Sequence, residues 1–183
     1  FFFFVSKDLL MSEKILGVIG GSGLYQMKGL DITDRQAFET PYGSPSDEII
    51  IGSLRGTKIA FLPRHGVGHF ITPSEINFRA NIFAMKKIGV NKIISVSAVG
   101  SMKEKYPPGH FVVPDQFIDY TTQRISTFFT TGMVGHVSLA DPICGATADV
   151  LFDAAEKAGA SVHKGGTYIC IEGPPFSTRA ESL

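Results

Sequence analysis

The stretch Lys92-Ile93-Ile94-Ser95-Val96-Ser97-Ala98-Val99-Gly100-Ser101 constrains the fold more than any other. Its first half is apolar and β-branched, the pattern of a buried strand, and its second half shrinks to small side chains. In open α/β sheets ligands approach the backbone at the carboxyl ends of strands. The Ser97 hydroxyl and the bare backbone of Ala98, Val99 and Gly100 therefore stand where a site belongs. On this stretch alone, a tight strand-to-loop turn is the alternative.

Two more strands end in the same manner. Lys14 to Ile19 reads as a short buried strand, and Gly20-Gly21-Ser22-Gly23 follows it at once. Such a loop can turn its amides toward an anion, with the Ser22 hydroxyl among them. A dinucleotide fingerprint needs a third glycine where Gln26 stands, which disfavours a nicotinamide cofactor. Glu48 to Leu54 and Thr57 to Leu62 read as a β-hairpin turning at Arg55-Gly56. The hairpin delivers Pro63-Arg64-His65-Gly66-Val67-Gly68-His69, where Arg64 offers a planar fork of donors and His65 a switchable donor or acceptor. A solvated loop in which Arg64 pairs with a carboxylate is the competing reading.

Between these loops and the end of the chain the pattern is α/β. Thr72-Pro73-Ser74-Glu75 has the form of a capping box, predicting a helix from there to about Lys87, stopped by Gly89, with Ile76, Ala80, Phe83 and Met85 inward. A strand is expected at Phe111 to Pro114, and Asp115 and Asp119 after it are assigned no chemistry. Residues 121–137 carry no helical or strand period and form a long loop that ends at His136 and Val137. Asp141-Pro142 starts a second predicted helix, to about Gly159, with Leu151, Ala154, Ala155 and Ala158 inward. Val162 to Ile171 reads as a strand interrupted at Gly165-Gly166. It leads into Glu172-Gly173-Pro174-Pro175-Phe176-Ser177-Thr178, where Phe176 is placed to stack on a flat ligand. Thr178 to Leu183 looks like the first turns of another helix.

Charge narrows the partners. Seventeen basic and seventeen acidic residues cancel, which argues against a broad nucleic-acid or membrane footprint and leaves room for a focal anion pocket. Cys144 and Cys170 fit neither a metal spacing nor a disulfide framework, so two buried thiols in a reducing, cytoplasmic compartment are expected. Residues 1–10 are apolar but cut by Lys7 and Asp8; they are expected to be upstream sequence rather than a targeting segment. Residues 11–183 are expected to form one domain, incomplete at its carboxyl end.

Five segments, taken together, resemble the trimeric purine nucleoside phosphorylase family, and within it the members that cleave 5′-methylthioadenosine. They are Gly-Val-Ile-Gly-Gly-Ser-Gly-Leu at 17–24, Pro-Arg-His-Gly with Pro-Ser-Glu-Ile-Asn-Phe-Arg-Ala-Asn at 63–81, Ser-Ala-Val-Gly-Ser at 97–101, Asp-Gln-Phe-Ile-Asp-Tyr-Thr at 115–121, and Ile-Glu-Gly-Pro-Pro-Phe-Ser-Thr-Arg-Ala-Glu-Ser at 171–182. The resemblance implies a mixed central sheet flanked by helices. It implies phosphorolysis of S-methyl-5′-thioadenosine to adenine and 5-methylthioribose 1-phosphate, with inorganic phosphate as co-substrate and neither metal nor organic cofactor. Ser22, Arg64, His65, Ser97 and the Ala98 backbone resemble the family's phosphate ligands. Ala98, Val99, Gly100, Phe176 and Ser177 fall on the base side, and His136 resembles the histidine that reaches the 5′-alkylthio group in a neighbouring subunit of a homotrimer. The family usually has arginine where Pro175 stands, and its eukaryotic members have threonine at Ser97. The aspartate expected to protonate the purine falls beyond Leu183. A nucleoside or methylthioinosine phosphorylase, and an inactive fragment that only binds phosphate or purine, are the alternative readings.

Overall fold

The computed structural model describes residues 14–21, 24, 29–129 and 131–183, so the expectations for residues 1–10, Ser22 and Gln26 fall outside the described residues. The elements are β1 (Ile15–Gly20), β2 (Leu30–Gln36), β3 (Ile49–Leu54), β4 (Thr57–Pro63), α1 (Phe78–Ile88), β5 (Val90–Val96), β6 (Phe111–Val113), β7 (Gln116–Asp119), α2 (Gly145–Lys157), β8 (Val162–Lys164), β9 (Thr167–Cys170) and α3 (Arg179–Ser182). They fall into two compact units, the first ending at Ala98 and the second running from Val99 to Leu183.

The first unit is built on a mixed sheet in the order β2-β3-β4-β1-β5. β2, β3 and β4 pair antiparallel, whereas β1 lies parallel to both β4 and β5. The expected hairpin forms β3 and β4, and it turns with Arg55 at φ 49° and Gly56 at φ 80°. Two left-handed residues in succession give the turn a twist that matches the strands it joins. Alternation along the strands then covers both faces. Ile15, Ile49, Ile51, Ala60 and Leu62 pack with Ala84 and Met85 of α1 on one side. Val18, Ile50, Ile59 and Phe61 pack on the other, beneath Leu24, Leu30 and Leu54. Gly17 lets β5 close against β1, since a Cβ there would lie 2.7 Å from Val90 Cγ1.

Two expectations need correcting here. The stretch opening at Lys92 is a strand but not a buried one: of β5 only Val90 is buried, because β5 is the outer strand and pairs on one side only. The helix after Thr72 begins at Phe78, not at the Thr72 box. Glu75 does bond the Thr72 amide and hydroxyl at 3.1 and 2.7 Å, but this closes an isolated turn. Asn77 is the true cap; its Oδ1 accepts from the Ala80 amide at 3.1 Å while its Nδ2 donates to the Tyr42 carbonyl at 2.6 Å. Ala80 and Met85 face inward as expected, Asn81 and Ala84 join them, Phe83 is only half-buried, and Gly89 ends the helix at φ 98°. β2, for which the sequence offered no expectation, carries Asp31, Asp34 and Arg35 on the opposite sheet edge, which tolerates them because it faces solvent.

In the second unit, two parallel strand pairs form, β6 with β8 and β7 with β9. The expected break at Gly165-Gly166 separates β8 from β9, with φ of 80° and 126°. Asp115 spans it, accepting from the Gly166 amide at 3.1 Å. α2 starts at Gly145 rather than at Asp141-Pro142, because the Cys144 carbonyl receives the first helical bond, from the Ala148 amide at 2.9 Å. Its packed stripe is Ala148, Leu151, Phe152 and Ala155, so Ala154 and Ala158 are exposed, contrary to expectation. Nor are both cysteines buried: neither is in a disulfide, Cys144 is exposed and Cys170 half-buried. Residues 121–137 contain no helix or strand among those described, as expected, and α3 carries a capping box made by Thr178 and Glu181.

The packing of α1 on the sheet is tested by Met85→Ala, which empties a side chain of 0% exposure. Chemical denaturation should show a loss of about 2–5 kcal/mol, against about 0.5 kcal/mol or less for the exposed Lys86→Ala.

Candidate functional site

The parallel register sets three strand ends at one level: Gly20 of β1 lies beside Pro63 of β4 on one side and Val96 of β5 on the other. The three anion-donor loops read from the sequence leave these three ends. Arg64 joins them. Its backbone amide donates to the Gly20 carbonyl at 3.1 Å, and its Nη1 donates to the Val96 carbonyl at 2.7 Å. A Cβ placed on Gly21 would lie 3.3 Å from Nη2, so a side chain there would press on the guanidinium. Among the described residues no carboxylate pairs with Arg64. A half-buried cation beside glycine backbone at strand carboxyl ends has the charge and the donor geometry of a candidate anion site.

His65 aims that cation. It is 6% exposed, and its Nε2 accepts from Arg64 Nε at 3.1 Å. With Nε2 an acceptor, Nδ1 must carry the proton, which it donates to the Ile71 carbonyl at 2.9 Å. The ring is neutral in this arrangement. Burial lowers its pKa from the usual histidine value, the Ile71 bond partly opposes that, and the charges of Arg64 and His69 lower it further. The His69 ring lies tilted against it with centroids 4.4 Å apart. Both ring nitrogens of His65 are thus engaged within the protein.

The loop after Arg64 is held by its own backbone. Gly66 donates to Pro63 and His69 to Gly66, each at 3.0 Å, and Ile71 donates to His65 at 3.1 Å. Gly66 takes φ 71°, and a Cβ there would meet the Phe70 ring at 2.6 Å, so this position favours glycine. The Val67 amide leaves the loop and donates to Asp47 Oδ2 at 2.7 Å.

Of the remaining sequence candidates, Ser97 and Ala98 follow directly on Val96 and are exposed. Ser22 lies outside the described residues. Val99, Gly100, His136, Phe176 and Ser177 belong to the second unit, where Val99, Gly100 and His136 are exposed and Phe176 is 96% exposed. Ser177 Oγ bonds Ser182 Oγ at 2.8 Å. Sequence reading missed the group that shapes this strand end: Arg124 Nη2 donates to the Glu172 carbonyl at 2.6 Å and Arg124 Nε faces Glu172 Oε1 at 3.3 Å. Glu172 Oε2 accepts from the Thr122 and Gln123 amides at 2.5 and 3.0 Å. Those two amides, Thr122 first, hold its pKa below the usual carboxylate value, with Arg124 adding to them. Neither residue carries a local spacing signal, because the partners stand 48 positions apart. Among the described residues no three His, Cys, Asp or Glu side chains cluster as metal ligands, and no helix is long and apolar enough to cross a membrane.

Comparison with known proteins follows the same line. The family model described as the phosphorylase superfamily matches residues 15–183. The S-methyl-5′-thioadenosine phosphorylase of Geobacter sulfurreducens is 59% identical over 171 residues, covering 93% of this chain and 60% of that protein. That of Hyperthermus butylicus is 56% identical, covering 91% and 61%. The chain therefore spans about three fifths of the length of these relatives. Among solved structures, a methylthioadenosine phosphorylase from an antarctic soil metagenomic library superposes with a TM-score of 0.89 at 54% identity, over 93% of this chain and 61% of that one. The Schistosoma mansoni methylthioadenosine phosphorylase in complex with adenine gives 0.88 at 36% identity, over 92% and 69%. The expected α/β fold of the nucleoside phosphorylase type is thereby shown.

The His65 arrangement has a pH signature. Its folded pKa lies below its unfolded one, so between the two values the unfolded chain binds the extra proton, and stability rises with pH. Thermal unfolding should show stability intact above the ordinary histidine value of about 6.5 and declining as pH falls below it. His65→Gln should lose that part of the decline.

Proposed function

The chain belongs to the phosphorylase superfamily, and from that premise we propose that it carries out phosphorolysis of S-methyl-5′-thioadenosine, giving adenine and 5-methylthioribose 1-phosphate. The observation that carries the proposal is the guanidinium of Arg64, which no described carboxylate neutralises, set beside Gly21 at the level of three parallel strand ends. The substrate is supported by the names of the relatives and by the adenine held in the Schistosoma structure.

In the proposed reaction an oxygen of inorganic phosphate bonds to C1′ as the bond from C1′ to the purine nitrogen breaks, and the bonding pair leaves with adenine. Arg64, Ser22, Ser97 and the Ala98 backbone hold the phosphate; His65, expected from the sequence as a further phosphate ligand, has both ring nitrogens bonded within the protein and instead keeps the guanidinium aimed. Charge stabilisation of this kind depends on donors placed before the reaction starts. Phosphate is the co-substrate, and the chemistry calls for no metal or organic cofactor. Ala98, Val99 and Gly100 line the base side, Phe176 stacks on the purine and Ser177 meets its edge. N7 of the departing base needs a proton, a role given to no residue of this chain.

The assembly in this proposal is a homotrimer in which His136 reaches the alkylthio group of a neighbour's substrate. Its support is the apolar exposure of the surrounding loop, where Ile125, Met133, Val134 and Val137 are 61–84% exposed, more than a monomer usually leaves on one segment. A cytoplasmic location is supported by the two cysteines outside any disulfide.

Adenine release from S-methyl-5′-thioadenosine should depend on added phosphate and exceed base release from inosine or methylthioinosine; preference for a 6-oxo purine would move the substrate assignment. In calorimetry, Arg64→Ala should weaken phosphate by about 1.5–3 kcal/mol, the loss of a charged hydrogen bond. An unchanged affinity would take Arg64 out of the site. Light scattering on the active protein should give a trimer mass, and a monomer would exclude the neighbour's role for His136.

A further inference from the structure

We infer that Asp47 is a positioning residue for the anion site, a relay that carries the order of the α1 interior to the loop holding Arg64. This rests on the phosphate reading of that loop. Asp47 touches neither Arg64 nor His65 through any described hydrogen bond. Its carboxylate instead ties two backbones together: Oδ1 accepts from the Glu48 amide at 2.8 Å, where β3 is about to begin, and Oδ2 accepts from the Val67 amide at 2.7 Å. Val67 lies between Gly66 and Gly68, both at positive φ, 71° and 95°. A loop with glycine on either side of one residue has a large conformational freedom to lose, and one charged acceptor on the amide between them removes much of it.

The anchor behind Asp47 is rigid. Ser46 next to it is buried and is gripped twice by Asn81, a residue of α1 that is 3% exposed: Asn81 Oδ1 accepts from the Ser46 amide at 2.8 Å and Asn81 Nδ2 donates to Ser46 Oγ at 3.0 Å. Asn77, the cap of the same helix, donates to the Tyr42 carbonyl at 2.6 Å and to the Ser44 carbonyl at 3.3 Å. Residues 42–47 are therefore fastened to α1 along their length, and the last of them fastens the loop. From Val67 the path to the guanidinium is short: the Gly66 amide bonds the Pro63 carbonyl, the Ile71 amide bonds the His65 carbonyl, and the His65 ring, braced on the Ile71 carbonyl, accepts from Arg64 Nε. Releasing Val67 frees both braces of His65, and with them the direction in which Arg64 offers its donors.

Charge separates this role from direct binding. A carboxylate near an anion site repels the anion, so a group present for electrostatics alone would improve binding when neutralised. A group present for its hydrogen bond should tolerate Asp47→Asn, which keeps an acceptor oxygen, and not Asp47→Ala, which keeps none.

The test is calorimetric titration of inorganic phosphate into the protein and its Asp47→Asn, Asp47→Ala and Arg64→Ala variants, together with amide exchange across residues 64–71. Asp47→Asn should bind phosphate at least as tightly as the parent. Asp47→Ala should bind about tenfold more weakly, the equivalent of one hydrogen bond to a charged acceptor, with faster exchange at Val67, His69 and Ile71 and a folded circular dichroism spectrum. Parent-like affinity and exchange in Asp47→Ala, while Arg64→Ala loses phosphate, would overturn the relay and leave the phosphate reading standing. Failure of the parent itself to bind phosphate would overturn the phosphate reading. Exchange then decides the relay: unchanged protection at 66–71 in Asp47→Ala refutes it, and lost protection upholds the loop tether without a ligand.

Discussion

Everything at the candidate site depends on the parallel pairing of β1 with both β4 and β5. Antiparallel neighbours would alternate their carboxyl ends between the two edges of the sheet, and no single side chain could reach more than one of the loops. Parallel pairing puts Gly20, Pro63 and Val96 side by side, so that a residue immediately after β4 meets the backbone of the other two strands. Arg64 does so with its amide on Gly20 and its Nη1 on Val96. The sheet brings the candidate anion donors together, and the same bonds hold the strand ends in register. That economy fits the proposed phosphate site, since donors that are already part of the fold do not need to be ordered when a ligand arrives.

His65 belongs to the same logic. A protonated ring would present an N–H to the Nε–H of Arg64 and replace one attraction by a clash of donors and of charges. Burial and the neighbouring cation both keep the ring neutral, so the tautomer that braces Arg64 is also the one that the surroundings favour. Gly66 in that loop is favoured by its positive φ and by the Phe70 ring beside the space a side chain would take.

Elements whose signal is local were legible in the sequence. The hairpin at Arg55-Gly56, the break at Gly165-Gly166, the stop at Gly89 and the helix turn after Thr178 all rest on contacts within a few residues, and all are present. The errors came where a distant partner decided. The Thr72 box makes its bonds, yet α1 starts at Phe78 with Asn77 as its cap, because Asn77 also satisfies carbonyls of Tyr42 and Ser44, 35 and 33 positions away. Apolar residues in β5 predict burial only if the strand is central, and topology, which periodicity does not encode, made it outermost. At the site the pattern is the same. Arg64 and His65 were recognisable from residue type and a glycine-rich loop, whereas Asp47 and the Arg124–Glu172 pair were silent because their partners lie 20 and 48 positions off.

The demand on position 64 explains why an arginine stands there and why charge alone is an incomplete account of it. The side chain must donate through Nε to His65, through Nη1 to Val96, and still turn a third nitrogen toward the backbone of Gly21. Those three directions lie in one plane, and a guanidinium fixes them with few free torsions between the groups. A lysine could supply the positive charge, but its donors all radiate from one nitrogen, whereas the bonds to His65 and Val96 leave the guanidinium from two separate nitrogens, so a lysine could not reproduce both in these positions. The ring of His65 would then lose its donor or the end of β5 its tie to β4. The constraint that begins as strand register thus ends as a choice of one amino acid.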